Sequence, residues 1–349
     1  LNQLLRQKVH VSFSDQETVL KLLDQLFESL LIQADSPLER EFIAELHDFS
    51  RERLISEHGF KMSLTSSELD TWSKNRIAYT SEVNSFWVAI LKILTVFKRR
   101  LLKERVALGQ RGRTDLTVDS GFVIFLATVA LNSALERAGI LEKLSQCFST
   151  RLKVVGAALE MSAAGSTWWK ASNEDSGGID TDYSHYDEAI EHPKAIVYLS
   201  DVGVDAGPTE YFPGLFEVLE LTPLQELVSR VVLNVGSDPR SSIYPHFRGF
   251  EQRSASPVFR DLFSRLPEQM RFNSHFGWDV PHTHPLRQEF RDRRIQVTGR
   301  SGTVLVFDGG RVVHRGGLIQ RGERVVFQVV FGSADGGIMR YALSRFRRP

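Results

Sequence analysis

Residues 302–331 read GTVLVFDGGRVVHRGGLIQRGERVVFQVVF. Two apolar runs, Gly302 to Asp308 and Arg324 to Phe331, are rich in β-branched and aromatic residues and are bounded by glycine turns, the pattern of buried strands. Between them His314 stands alone, preceded by the turn Asp308-Gly309-Gly310 and followed by Arg315-Gly316-Gly317. Ile295-Gln296-Val297 adds a short strand just upstream, and Ala195-Ile196-Val197-Tyr198-Leu199 another, ending at Ser200-Asp201. Residues 207–214, GPTEYFPG, have the turn chemistry of a tight loop between strands. Leu152, Val154 and Val155, leading into Ala157-Ala158-Leu159, give one more strand.

Outside these strands the period is helical. Val19, Leu20, Leu22, Leu23, Leu26 and Phe27 recur at helical spacing after the capping signal Ser14-Asp15-Gln16-Glu17. Phe42, Ile43 and Leu46 make a second stripe, and the apolar stretch from Phe86 to Phe97 predicts a buried helix. The basic run Lys98, Arg99, Arg100, Lys103, Arg105, Arg111 and Arg113 reads either as a patch for an anionic substrate or partner or, as the balanced net charge favours, as the solvated face of a helix end. Residues 119–144 predict an apolar helix or helix pair broken at Ala138-Gly139, with Cys147 as a small core residue. Helical patterning returns from Leu215 to Leu266 and interrupts the strands as an insertion. The expected division is an N-terminal helical region over 1–115, packed on a core domain over 116–349 with the insertion at about 215–290.

Composition narrows the class. Lys+Arg 43 cancels Asp+Glu 43 in 349 residues, which argues against nucleic acid as a partner. One cysteine excludes an intramolecular disulfide and a multi-cysteine metal site. The longest apolar run, Gly121 to Ala130, is too short for a membrane span. No signal-peptide pattern opens the chain, and a start at Leu1 in place of Met is expected of a trimmed N-terminus. The expectation is a soluble, cytoplasmic protein.

Candidate chemistry begins at Ser184-His185-Tyr186-Asp187-Glu188. In extended backbone, positions i and i+2 point to one side, so the His185 imidazole and the Asp187 carboxylate converge as half of a metal site. A third ligand must come from another element. Of the downstream histidines His192, His246, His275, His282, His284 and His314, the pair His282 and His284 sits between Pro281 and Pro285, where a rigid loop is the simpler account. His314, at a strand end, has the better context. Two imidazoles and one carboxylate leave positions open on the other side of the ion, the arrangement of non-haem Fe(II) oxygenases. Those positions take a 2-oxo acid and dioxygen. Arg324, at the start of the next strand, is placed to hold the far carboxylate by a bidentate fork; Arg321, in the turn with Gly322 and Glu323, is the competitor.

The chain resembles the phytanoyl-CoA dioxygenase-like branch of the Fe(II)/2-oxoglutarate-dependent oxygenases. The likeness rests on His185-Tyr186-Asp187, on Tyr198 to Asp201 with the turn Gly207 to Gly214, and on Gly302 to Phe331, covering roughly 150–332. It implies an α+β fold built on a double-stranded β-helix, a cupin-like jelly roll with helices outside. It implies His185, Asp187 and His314 as ligands of Fe(II), with Arg324 anchoring the 2-oxoglutarate C5 carboxylate and Thr209 near the cosubstrate. Dioxygen is then the second cosubstrate, and a small molecule is hydroxylated with release of succinate and CO2. An aspartate at 187, where related halogenases carry a small residue, points to the hydroxylase type. The turn departs from the family pattern, running Pro213-Gly214-Leu215-Phe216 where the family ends in a "PGSH"-like sequence, and the span from His185 to His314 is longer than expected. Two other readings stay open: a cupin-like isomerase or hydrolase using the triad on Zn2+ or Mn2+, and a binding protein without turnover. Trp168 and Trp169 either line a pocket or cap the core. With Tyr186, Phe212, His275 and Trp278 they are candidates to border a pocket, but no residue specifies the substrate class.

Overall fold

The computed structural model describes residues 16–55, 78–109, 112–114, 121–147, 151–164, 184–185, 193–218, 258, 261–262, 265–267, 285–309 and 312–333. In chain order the helices are α1 (Gln16–Gln33), α2 (Pro37–Ile55), α3 (Ser85–Leu94), α4 (Val96–Ala107), α5 (Phe122–Arg137), α6 (Ile140–Cys147), α7 (Leu215–Val218) and α8 (Leu286–Arg293). The strands are β1 (Ala78–Glu82), β2 (Leu152–Ala163), β3 (Pro193–Tyr198), β4 (Thr209–Phe212), β5 (Ile295–Val297), β6 (Thr303–Asp308), β7 (Val313–Gly316) and β8 (Glu323–Ser333).

The chain divides into two units. The first takes residues 1–73, 172–190 and 214–293. Its core is the α1–α2 pair, where Leu23, Leu26, Phe27 and Leu30 pack on Phe42, Ile43 and Leu46, joined by Leu262 and Leu266. These are the two stripes the helical spacing predicts. Arg51 clamps Asp24 across the pair, its Nη1 2.6 Å from Oδ1, and His47 Nε2 lies 2.8 Å from the same oxygen. The Arg51 hydrogen bond, opposed in part by burial, holds the Asp24 carboxyl below its usual range.

The second unit takes residues 74–171, 191–213 and 294–349. It carries two antiparallel sheets, in the orders β1-β6-β3-β8-β2 and β5-β4-β7. Side chains alternate along a strand, and here both faces of the larger sheet are covered. Val325, Phe327, Val329 and Phe331 of β8 point outward with Val304, Val306, Ala195 and Val197, onto α5 and α6 through Ile124, Leu131, Leu135 and Leu144. Tyr198, Leu305, Phe307 and Val326 point the other way and meet Tyr211, Val297 and Val312 of the smaller sheet and its approach. This double coverage explains why β3, β6 and β8 read as continuous apolar runs rather than alternating ones.

Several expectations change. Residues 78–82 form β1, paired with β6 from Ala78↔Phe307 to Glu82↔Thr303, where the sequence predicts only helices. With α3 and α4, β1 belongs to the sheet-bearing unit, which takes in residues 74–171. The predicted buried helix over Phe86 to Phe97 is two helices meeting at Thr95, and only Val88 and Leu91 of α3 are buried. Arg113 is half-buried and bridges to Glu160 beside β2, not on a solvated helix end. The break at Ala138-Gly139 is where it is expected, with Gly139 at φ 71. Of the 215–290 insertion, α7 and α8 are its described helices, with single helical residues or pairs at 258 and 261–262. Among the described residues no single helix is long and apolar enough to cross a membrane.

Candidate metal and cosubstrate site

The site begins with register. Tyr211 lies opposite His314 and Thr209 opposite Gly316. Opposed residues share a face, as do positions two apart on one strand. Thr209, Tyr211, His314 and Gly316 therefore share one face of the smaller sheet. Tyr211 identifies that face as the one turned to the larger sheet, because it packs with Tyr198, Leu305 and Phe307. His314 is buried there against the Phe307 ring, centroid to centroid 4.6 Å.

Hydrogen bonding selects the tautomer of His314. Its Nδ1 lies 2.9 Å from the Val312 carbonyl oxygen. A carbonyl only accepts, so Nδ1 carries a proton, and in the neutral ring Nε2 is then the acceptor nitrogen. That is the state and orientation a metal-ligating imidazole needs.

Arg324 comes from the larger sheet. On β8 the odd positions 325–331 face the helices, so Arg324, Val326 and Gln328 face the smaller sheet. The guanidinium is buried. Nη1 donates to the Gly207 carbonyl at 2.6 Å, and Nη2 stands 3.3 Å from Glu160 Oε1. Nε is buried and has no partner among the described residues. Leaving a buried N–H unsatisfied costs about 1–3 kcal/mol, and an acceptor brought to this nitrogen of Arg324 would remove that cost. A carboxylate is the acceptor its fork fits best.

Two glycines let the arginine lie where it does. Gly207 has φ +66, and a Cβ there would stand 2.4 Å from Ile319 Cγ1 and 2.6 Å from the Gly317 carbonyl oxygen. A side chain is therefore barred at the residue whose carbonyl receives Arg324. A Cβ on Gly316 would stand 3.1 Å from Arg324 Nη2. The guanidinium thus lies over β7 two positions from His314, on the same face of that strand.

Tyr198 ties the two sheets together at this point. Its hydroxyl donates to the Val297 carbonyl at 2.7 Å and accepts from the Thr209 N–H at 3.0 Å. Burial raises the Tyr198 pKa, with the Arg324 charge pulling the other way. Burial likewise raises that of Tyr211. Both phenols stay neutral through the physiological range. On the opposite face of β4 and β7, Arg315 Nε donates to Glu210 Oε2 at 2.6 Å, and Gln296 Nε2 to Glu210 Oε1 at 2.8 Å. Both members of that pair are buried, and loss of either partner would leave an uncompensated charge.

Of the residues the sequence singles out, Thr209, His314 and Arg324 are thus brought together within the second unit. His185 is half-buried and falls in the segment 172–190 of the first unit. Asp187 lies outside the described residues, as do Trp168, Trp169, Tyr186, His192, His246, His275, Trp278, His282 and His284. Among the described residues no three His, Cys, Asp or Glu side chains are grouped to hold an ion. Arg321, the competitor of Arg324, is exposed.

Sequence reasoning missed Glu160, Gly207, Gly316 and the bridging role of Tyr198. Glu160 alone carried a signal: it alternates with Leu159 and Met161 on β2, so it turns away from the helices. Arg113 Nη2 donates to Gln328 Oε1 on this same inward side of β8.

No family model matches the chain, and no curated protein matches it. Among solved structures it is similar to HygX of Streptomyces hygroscopicus with nickel and 2-oxoglutarate bound, at 15 % identity over 78 % of this chain and 88 % of that one, TM-score 0.37. It is similar to SnoK, the non-heme α-ketoglutarate-dependent carbocyclase of nogalamycin biosynthesis, at 14 % identity over 81 % and 91 %, TM-score 0.36. EctD of S. alaskensis, solved with 2-oxoglutarate and 5-hydroxyectoine, is similar at 11 % identity over 81 % of each chain, TM-score 0.40. At TM-scores below 0.5 these likenesses decide neither fold nor chemistry, and the reading rests on the chain's own residues.

Proposed function

We propose that the chain is an Fe(II)- and 2-oxoglutarate-dependent oxygenase of the hydroxylase type, acting on a small molecule. The observation that carries this is Arg324: a buried guanidinium, with no partner for Nε among the described residues, lying over β7 two residues from His314. An isomerase or hydrolase working on a metal alone has no need of that guanidinium.

The strand order supports a double-stranded β-helix as the fold. From β3 to β8 the chain passes between the two sheets three times after leaving the larger one, with β4 and β5 in the smaller, β6 in the larger, β7 in the smaller and β8 in the larger. Such alternation puts the inward face of both sheets around one interior.

His185, Asp187 and His314 would hold the iron, a donor set that Fe(II) takes; the tautomer of His314 fits that role. Arg324 would hold the far carboxylate of 2-oxoglutarate, and Thr209, on the face shared with Gly316, would border it. When bound, iron, 2-oxoglutarate and dioxygen supply oxidation of an unactivated C–H bond, with release of succinate and CO2. The protein's part is placement. Val312 orients His314 through its carbonyl, Gly207 and Glu160 orient Arg324, and Tyr198 holds the Thr209 backbone against the larger sheet. Tyr198, Tyr211 and Phe307 form an aromatic wall beside His314.

The test is succinate formation from 2-oxoglutarate by the full chain with Fe(II) and air, without added substrate. Slow, iron-dependent turnover is expected, abolished by His314→Ala. Arg324→Met should cost about 10²-fold or more in 2-oxoglutarate affinity, as for loss of a buried charge-assisted pair. Iron-independent succinate formation, or an Arg324→Met variant with unchanged affinity, would overturn the reading.

A further inference from the structure

The helices α3 and α4 carry a face that the oxygenase reading leaves unused. Each buries one side against the sheet-bearing unit, through Val88 and Leu91 of α3 and Leu102 and Val106 of α4. The other side is apolar as well. Phe86, Ile93, Val96, Phe97, Leu101 and Leu108 are all exposed, with Ile93, Phe97 and Leu108 at 72, 78 and 74 %. Phe97, Leu101 and Leu108 fall at i, i+4 and i+11, one line along α4 directed away from Leu102 and Val106. Glu104 interrupts that line and is paired with Arg100. Side chains this large and this exposed on adjoining helices mark a docking surface rather than scattered exposure.

The charges beside the stripe say what docks. At 100° per residue, Lys98 and Arg105 flank it on one side, and Arg100 on the other. Three cations, Lys98, Arg100 and Arg105, thus border the stripe against the single carboxylate of Glu104, in a chain whose formal net charge is zero, while Arg99, whose Nη2 donates to the Lys92 carbonyl, and Lys103 lie toward the buried side of α4. The ion pairs Arg100–Glu104 and Lys103–Glu323 are exposed, and such pairs bind their partners weakly. A second copy of this chain would bring two such basic helices together, and like charges oppose that contact. Long cationic side chains beside outward-standing Phe and Leu fit an anionic lipid surface: the apolar tips enter the acyl boundary while the cations reach the headgroups.

We propose that the outer face of α3 and α4 docks the protein on an anionic lipid surface, as a peripheral contact and not a span. The inference is independent of the iron reading. Each cation near such a surface contributes about five-fold in affinity, the equivalent of about 1 kcal/mol.

The test is flotation of the full chain with vesicles of equal parts phosphatidylcholine and phosphatidylglycerol, against phosphatidylcholine alone. The chain is expected to float with the mixed vesicles at low salt, and to be released from them by high salt. The double variant Phe97→Ser, Leu101→Ser should lose about ten-fold or more in vesicle affinity. Lys98→Glu with Arg105→Glu should lose about twenty-five-fold or more. Both should keep a Tm near that of the wild type, because Phe97, Leu101 and Arg105 are exposed and Lys98 is only half-buried. Absence of flotation with mixed vesicles would overturn the proposal, as would equal flotation of the variants and the wild type. Binding to soluble poly-glutamate but not to vesicles would assign the face to an acidic protein instead. A dimer that the Phe97→Ser, Leu101→Ser variant dissociates, without vesicle binding, would assign it to a second copy.

Discussion

Gly316 connects the two residues on which the chemistry depends. It follows His314 by two positions on β7, and a Cβ there would stand 3.1 Å from Arg324 Nη2. Gly316→Ala therefore requires the guanidinium to give by a few tenths of an ångström from its place over β7. The account predicts a 2-oxoglutarate KM or Kd raised about ten-fold in Gly316→Ala, with iron affinity unchanged because His314 keeps its bond to the Val312 carbonyl. Titration of the iron-loaded variant with 2-oxoglutarate checks this, and unchanged affinity would move the cosubstrate away from Arg324. At this scale the sequence was partly legible. His314 and Arg324 stood out by residue type and by their places at strand ends. Gly316 read only as a turn residue, because its closeness to Arg324 comes from the opposition of two sheets. Glu160 likewise meets Arg324 through the long β2–β8 ladder, in which Ser162 pairs with Arg324 and Glu160 is the diagonal neighbour. A pairing between residues more than 160 positions apart leaves no local trace.

Among the elements, the α1–α2 pair makes a prediction of its own. Arg51 holds the Asp24 carboxyl below its unfolded value of about 3.8. A depressed carboxylate contributes stability above the unfolded pKa and loses it as pH falls through the folded one. The Tm difference between the full chain and its Asp24→Asn variant should therefore hold steady from neutrality to about pH 5. It should shrink progressively below about pH 4. A difference independent of pH would mean that the carboxylate charge is not what Arg51 holds. Element type was legible where periodicity was strong: α1, α2, α5, β3, β6 and β8 stand where their patterns put them. It failed at β1, whose sequence Ala-Tyr-Thr-Ser-Glu has no apolar run and which is a strand because β6 offers it an edge. It failed differently over Phe86 to Phe97, where hydrophobicity predicted burial but Phe86, Ile93 and Phe97 stand exposed. Apolar composition signals a need for cover, not which surface supplies it.

At the scale of the molecule, the second unit owes its site to two sheets that turn one face each toward a shared interior. Tyr198 spans the gap to the Val297 carbonyl and the Thr209 N–H, and the aromatic wall closes behind it. The β-rich half of the chain was legible from the glycine-bounded runs between Gly302 and Phe331. Residues 74–115 look helical locally, and their described residues supply a strand and two helices to the sheet-bearing unit. The central proposal is that His314 would ligate an Fe(II) to which 2-oxoglutarate, anchored by Arg324, would bind. Anaerobic addition of Fe(II) and then 2-oxoglutarate to the full chain tests it most directly, through the weak visible metal-to-ligand charge-transfer band of the chelated cosubstrate. The account predicts the band in the wild type, its loss in His314→Ala, and its appearance only at much higher 2-oxoglutarate in Arg324→Met. No band in the wild type, or a full band in His314→Ala, would contradict it.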